Sequence, residues 1–496
     1  MLNSQAIKIL RSLDSKEMEM LNDFIYSPFF NKSTTVHKFW EVIRSFYPDF
    51  SDDNIGKEKL FKLTFKGKKY NYGTMKNLIH NFTNLLEKFL EIKFHEEDKF
   101  QNDYNTLVYS IIKYYPDLFK KKFAIRMKEY NKISEGDDYH YLFKYQLIRL
   151  SSSFAALESK MEKTLFDQGD SLIYFFLIHL FQVNFNIKIF FDVKNYEQNN
   201  LVDELLKVLD LELIMKKIKA NSEKDFKVVN LYYYMYLSTN HSENDEYYFK
   251  FKKFLFELHN VLNDYEFGSM ASAVINTLQN RAYMGIKGTD KEISEFLKLL
   301  IKLKINVGNT DSKISLSNFS YNLRHFFEAE DKEYAEIFYK EYESKLLQSD
   351  KENMSNVFKA FNFYLDKDYN KALEYSAKIK NETHKFKVFV KSFQLKCYYE
   401  LNEAEAFNYT LKAYRLLIYR KDTINSKRKE YSKSYLNTIN ALFEHKVFNK
   451  HDLGDIEVDI SRNKMLNKEW IIKKLNEIKR NGSIKKEGRN FAYTQT

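Results

Sequence analysis

Asp331-Lys332-Glu333-Tyr334, Asp366-Lys367-Asp368-Tyr369 and Leu401-Asn402-Glu403-Ala404 recur at a constant step of 35 residues, starting at 331, 366 and 401. Each polar stretch follows an apolar segment with helical spacing and precedes another, so the unit reads as helix–turn–helix. The register extends beyond the turns. Phe319, Met354 and Phe389 keep the same step, as do Leu323, Phe358 and Phe393. In the second helices Tyr334, Tyr369 and Ala404 correspond, followed by Ile337, Ala372 and Phe407. A hairpin of this size buries its apolar face only against its neighbours, so matched apolar positions predict a stack with one continuous core.

Composition carries the all-α reading to the rest of the 496 residues, which include 12 Gly and 3 Pro. No proline follows Pro116 in the remaining 380 residues, as expected of helices joined by short polar turns. With 37 Tyr and 44 Phe, rings must fill the helix interfaces. The single cysteine, Cys397, excludes an internal disulfide and a multi-cysteine zinc site, and its apolar surroundings make it a core residue. The N-terminus lacks a signal-peptide core. The most hydrophobic segment, Leu172 to Phe191, contains His179, Gln182, Asn184, Asn186 and Lys188, and suits a buried central helix better than a membrane span. A cytoplasmic protein without membrane partners is the expectation.

The formal charge is +11, and Lys412 to Thr496 carries 20 Lys+Arg against 10 Asp+Glu. A basic end can attract nucleic acid or an acidic partner, but interspersed signs also describe a solvated surface.

Along the chain, Asp14-Ser15-Lys16-Glu17 predicts a capping box. The helix it opens should stop before Pro28. Asn31 or Ser33 caps the next helix, which Pro48 ends, and Asp52 or Asp53 starts a third that Gly67 closes. A longer helix from about Thr74 carries the stripe Met75, Leu78, Ile79, Phe82, Leu85, Leu86, Phe89 and Leu90. Thr289-Asp290-Lys291-Glu292 reads as a second capping box. Arg420 to Ser434 is expected as a polar connection, Met465 to Ile478 as a capping helix, and Asn481 to Thr496 as a basic tail.

The stretch Lys57–Lys93 holds nine lysines against Glu58, Glu87 and Glu91. If its two helices form a helix–turn–helix whose second member enters a major groove, Asn77, His80, Asn81 and Asn84 reach base edges. Lys68, Lys69 and Lys76 would then hold phosphates.

The hairpin interval and the segment Leu365–Tyr375 resemble tetratricopeptide repeats, with Lys367 and Asn402 where the turn glycine usually stands. A helix–turn–helix ahead of such an array resembles bacterial activators that couple a winged helix to helical repeats. The segments Tyr26-Ser27-Pro28-Phe29-Phe30-Asn31-Lys32-Ser33, Phe65–Tyr72 and Leu85–Leu90 resemble an uncharacterised bacterial family of all-helical proteins, which implies no activity.

There is no Gly-rich phosphate loop, no G-x-S-x-G and no H-E-x-x-H. The sequence singles out no catalytic, cofactor-binding or metal-ligating residue. An enzyme would need a polar pocket of perturbed carboxylates or histidines assembled from distant parts of the chain.

The resulting expectation is an all-α solenoid of helical hairpins. It divides into an N-terminal helical module (1–95), diverged central hairpins (96–310), a repeat array (311–445) and a C-terminal cap and tail (446–496). Its expected function is a non-enzymatic scaffold holding a protein or peptide in the repeat groove. DNA binding by the N-terminal module is the alternative.

Overall fold

The computed structural model describes residues 4–50, 55–130, 140–158, 164–194, 200–305, 314–380, 384–419 and 426–493. Among these residues the regular structure is helical throughout, as expected. Two compact units share the chain. The first comprises Met1–Asn131 and Arg149–Glu162, the second Lys132–Ile148 and Lys163–Thr496.

The first unit holds α1 (Gln5–Ser12), α2 (Ser15–Tyr26), α3 (Thr34–Arg44), α4 (Lys57–Thr64), α5 (Tyr72–Glu97), α6 (Lys99–Ile112) and α7 (Pro116–Tyr130). Its core gathers Leu10, Leu21, Phe39, Trp40, Leu60, Phe82 and Leu86, with Phe39 edge-on to Phe82 at 5.1 Å. Full burial of each such side chain is worth roughly 1.5–3 kcal/mol. The capping box forms: Glu17 N donates to Asp14 Oδ1 and Asp14 N to the Glu17 carboxylate, both at 2.8 Å. Ser33 caps α3, while Asn31 holds the preceding turn through Ile25 O and Ser33 N. Helix α3 ends at Arg44, well before Pro48, because the chain turns at Ser45–Tyr47. Asp52 and Asp53 lie outside the described residues, and α4 starts at Lys57.

Helix α8 (His140–Leu157) contributes to both units. The second unit continues with α9 (Thr164–Lys194), α10 (Leu201–Val208), α11 (Leu211–Asn221), α12 (Glu223–Asn240), α13 (Asp245–Glu257), α14 (Asp264–Met284) and α15 (Thr289–Lys302). Next come α16 (Leu316–Glu328), α17 (Lys332–Tyr342), α18 (Gln348–Leu365), α19 (Tyr369–Ala377), α20 (His384–Leu401) and α21 (Ala404–Tyr419). The unit closes with α22 (Ser426–Phe448), α23 (Leu453–Arg462) and α24 (Lys468–Tyr493). From α12 to α21 consecutive helices pair as hairpins and each hairpin packs on the next.

Rings fill the interfaces. Phe327 stacks on Phe361 at 4.2 Å, Phe361 meets Phe393 at 5.5 Å, and Tyr339 stacks on Phe358 at 4.1 Å. These contacts link α16 and α17 to α18 and α20. Cys397 is fully buried, and burial pushes its thiol pKa well up.

The hairpin turns place Glu330, Lys367 and Asn402 at φ of 59°, 63° and 60°, the left-handed conformation that favours glycine. Their spacing corrects the register: 330 to 367 is 37 residues and 367 to 402 is 35. Asp331 caps α17 through Tyr334 N at 3.2 Å, and its counterpart is Asp368, which caps α19 through Lys371 N at 3.1 Å. Asp366 instead sits at the end of α18. Ala335 and Ala372 are accordingly both buried, whereas Ile337 is 49% exposed.

Three other expectations change. Helix α9 is not buried all round: Tyr174, Leu177, Ile178, Phe181 and Phe185 face inward, while Leu172, Ile173, Phe176 and Val183 are exposed. It is the one described helix long and apolar enough to cross a membrane, yet its inner face packs on α12. Residues from Ser426 onward already belong to α22 rather than to a polar connection. Helix α24 continues past Asn481 to Tyr493.

Candidate functional site

The residues singled out in the sequence lie in the first unit. The apolar stripe of α5 turns Met75, Leu78, Phe82, Leu85, Leu86 and Phe89 into the core. That leaves Lys76, Asn77, His80, Asn81 and Asn84 exposed along one helix face, because positions four apart lie one above another. Lys68 and Lys69 are exposed in the turn after Gly67, whose φ is 81°. His80 Nε2 and Asn84 Nδ2 approach to 3.3 Å. Helix α4 packs chiefly on α3, and α5 on α1, α2 and α3.

The sequence did not disclose a second site, a cavity of about 570 Å³ in the second unit. Its walls come from α14, α15, α16, α18, α20, α21 and α22, and from Leu466–Glu469 at the start of α24. The C-terminal segment is held there by its own backbone: Met465 N donates to Tyr283 O at 3.0 Å and Leu466 N to Tyr431 O at 3.3 Å. Lys468 then lies against Gly285, where a β-carbon would come within 2.9 Å of the lysine Cγ.

Glu469 completes the arrangement. The Thr289–Glu292 box does not form, because Gly288 (φ 82°) is the N-cap residue of α15 and has no side chain to cap with. Thr289 Oγ1 turns back to Ile286 O, and Glu292 accepts from Tyr248 OH at 2.7 Å and pairs with Lys252. The open helix end is capped across 179 residues, with Glu469 accepting from Gly288 N and, at 3.1 Å, from Asp290 N. A carboxylate at a helix N-terminus answers both its unpaired N–H groups and its dipole.

Charged groups line the interior. On α16, Glu328 lies 3.0 Å from His325 Nδ1 and 3.5 Å from Arg324 Nε. The His325 contact is a close approach at poor hydrogen-bond angle, since Nδ1 has no hydrogen-bond partner by geometry. Arg324 donates from Nη2 to His325 Nε2 at 3.1 Å, which assigns the ring's proton to Nδ1, facing Glu328. Burial alone would raise the Glu328 carboxyl; the charge of Arg324, and then His325, outweighs it and holds the pKa at about 2. Burial and then Arg324 lower that of His325.

Asp290 goes the other way. Burial, followed by the negative charges of Glu328 and Glu469, raises it to about 8, so it keeps its proton at neutral pH. Lys396 on α20 is only 6% exposed, and burial lowers its pKa against the pull of Glu328 and Asp290. Its ammonium donates to Asn467 Oδ1 at 2.9 Å. Phe386, Phe389 and Phe393 give the same cavity an apolar wall.

The cavity thus has the perturbed carboxylates and histidine that chemistry would require, but they are tied into an ion-pair cluster and a helix cap. Among the described residues no group of three metal-ligating side chains converges. A signal was present in the sequence: Lys396 interrupts the apolar run Phe393–Tyr399, and Arg324-His325 interrupts that of α16.

Compared with known proteins, the chain matches no family model, no curated protein and no solved structure.

Proposed function

We propose that this protein is a non-enzymatic intracellular scaffold that holds a protein or peptide partner on the inner side of a tetratricopeptide-like array. The supporting observation is that the array already holds a helix of its own against it. Helix α24 runs across the ends of alternate helices. Trp470 Nε1 donates to Tyr364 OH on α18 at 3.0 Å, and its ring meets Tyr399 on α20 at 5.2 Å. Lys473 pairs with Glu330, and Lys474 with Glu400 at 2.6 Å. An aromatic anchor followed by basic residues is how an amphipathic helix is read by a groove. The test is cross-linking in native lysate with peptide mapping. One reproducible protein partner, linked to lysines beside the array such as Lys332 and Lys380, is expected; its absence would overturn the reading.

The exposed face of α5 favours a second reading, a DNA-binding regulator coupling an N-terminal helix–turn–helix to the array. Binding should then weaken steeply with salt and on changing Lys76, His80 and Asn84 to Ala. Unchanged retention of the triple variant in a gel shift would end it.

A further inference from the structure

We propose that the cavity lined by α14–α16, α18, α20–α22 and Leu466–Glu469 is a binding site for a small organic anion: one acidic head group, carboxylate or phosphate, on an apolar body. The proposal goes beyond the partner reading and does not depend on it.

Size sets the class of ligand. About 570 Å³ lies within the roughly 300–1,000 Å³ of small-molecule pockets.

Charge sets the head group. Lys396 is buried to 6% exposure, and its ammonium, which can donate three hydrogen bonds, makes one among the described residues, to a neutral amide, and otherwise faces the Trp470 ring at 5.4 Å. A desolvated cation so sparsely paired is costly unless an anion meets it. Arg324 is only partly engaged: Nη2 donates to His325 Nε2, Nε lies 3.5 Å from Glu328 without a hydrogen bond, and among the described residues no hydrogen bond involves Nη1. A quarter of the arginine side chain, 26%, remains accessible.

Among the described residues no acidic group of the wall forms an ion pair with Lys396. Glu328 is engaged by Arg324 Nε and His325, Glu469 is spent on the N-terminus of α15, and protonated Asp290 is a donor rather than a counter-charge. Lys380, Arg428 and Lys468 also line the cavity, so cations outnumber ionised carboxylates on its wall. The body of the ligand is set by Phe386, Phe389 and Phe393, which offer ring faces and no hydrogen bonds.

The test uses the full chain with phenylacetate, decanoate, phenyl phosphate and the uncharged control benzyl alcohol, read by thermal shift and calorimetry. At least one acid should bind while benzyl alcohol does not. The carboxylate and phosphate arms distinguish the two head groups. Lys396→Met nearly keeps the length of the side chain and removes the charge together with the hydrogen bond to Asn467, and should weaken the acid's binding roughly 10- to 100-fold. The ligand-free Lys396→Met protein should melt no lower than wild type, because a desolvated charge has gone; this separates lost binding from lost folding. Phe389→Ala should weaken binding of decanoate by removing part of the apolar wall. Binding of no acid, equal binding of benzyl alcohol, or unchanged affinity in Lys396→Met would each overturn the proposal. Failure of the partner reading would appear separately, as the absence of a cross-linked protein with acid binding intact.

Discussion

Asp290 shows how far one residue's chemistry departs from its sequence context. In Thr289-Asp290-Lys291-Glu292 it reads as a first-turn acid that should favour ionisation beside a helix N-terminus. The N-terminus is instead answered by Glu469, and Asp290 is half-buried beside Glu469 and Glu328 with a pKa of about 8. The unfolded chain releases that proton near pH 3.9. The fold therefore retains a proton between roughly pH 4 and 8, and its contribution to stability, full below about pH 4, is lost as pH rises through that window. The slope is at most about 1.4 kcal/mol per pH unit. Glu328 has the opposite sign: held at about 2, it stabilises above about pH 4.3, and that contribution is lost as pH falls towards 2. Urea titrations at pH 5 and 8 should show wild type losing more stability at pH 8 than Asp290→Asn. Equal losses would contradict the assignment. None of this was legible locally, because the partners come from α16 and α24.

At the scale of the element, the sequence is informative where a helix is controlled by its neighbours in the chain. Asp14 and Glu17 lie three residues apart and cap each other, so the pattern needs no tertiary information. The repeated turns are legible for the same reason, and so are the all-α class and the buried stripe of α5. The register was missed by two residues because Asp366-Lys367-Asp368 offers two aspartates, and composition does not say which one caps. The structure makes a divided prediction. Asp368→Ala should cost about 1 kcal/mol as a lost N-cap. Asp366→Ala loses an exposed pair with Lys332, 2.6 Å long, and should cost less than about 0.5 kcal/mol. Equal effects in chemical denaturation would favour the uniform 35-residue register over the structural one. Gly285, at φ 75° against Lys468, extends the logic: alanine there should cost about 1–2 kcal/mol, measured in the same way.

For the whole molecule, the hairpin stack was readable and its closure was not. Helical spacing around Trp470 shows an apolar face, but a face does not say whether it covers the end of an array or crosses it. The answer depends on contacts such as Met465 with Tyr283 and Glu469 with Gly288, across some 180 residues of sequence. If α24 completes the array, Trp470→Ala should destabilise the second unit by about 3 kcal/mol. A loss below about 1 kcal/mol in denaturant would show that it is only laid against the surface.

The positions of the two tryptophans make the molecule its own instrument. Trp40 lies in the core of the first unit and Trp470 in the second, and the chain has no others. Each unit therefore carries one tryptophan, which excitation at the red edge of the indole band selects over the 37 tyrosines. Trp470→Phe leaves emission that reports only the first unit, and Trp40→Phe leaves emission that reports only the second. Whether the two melt together or in sequence can be read as colour, without attaching a label.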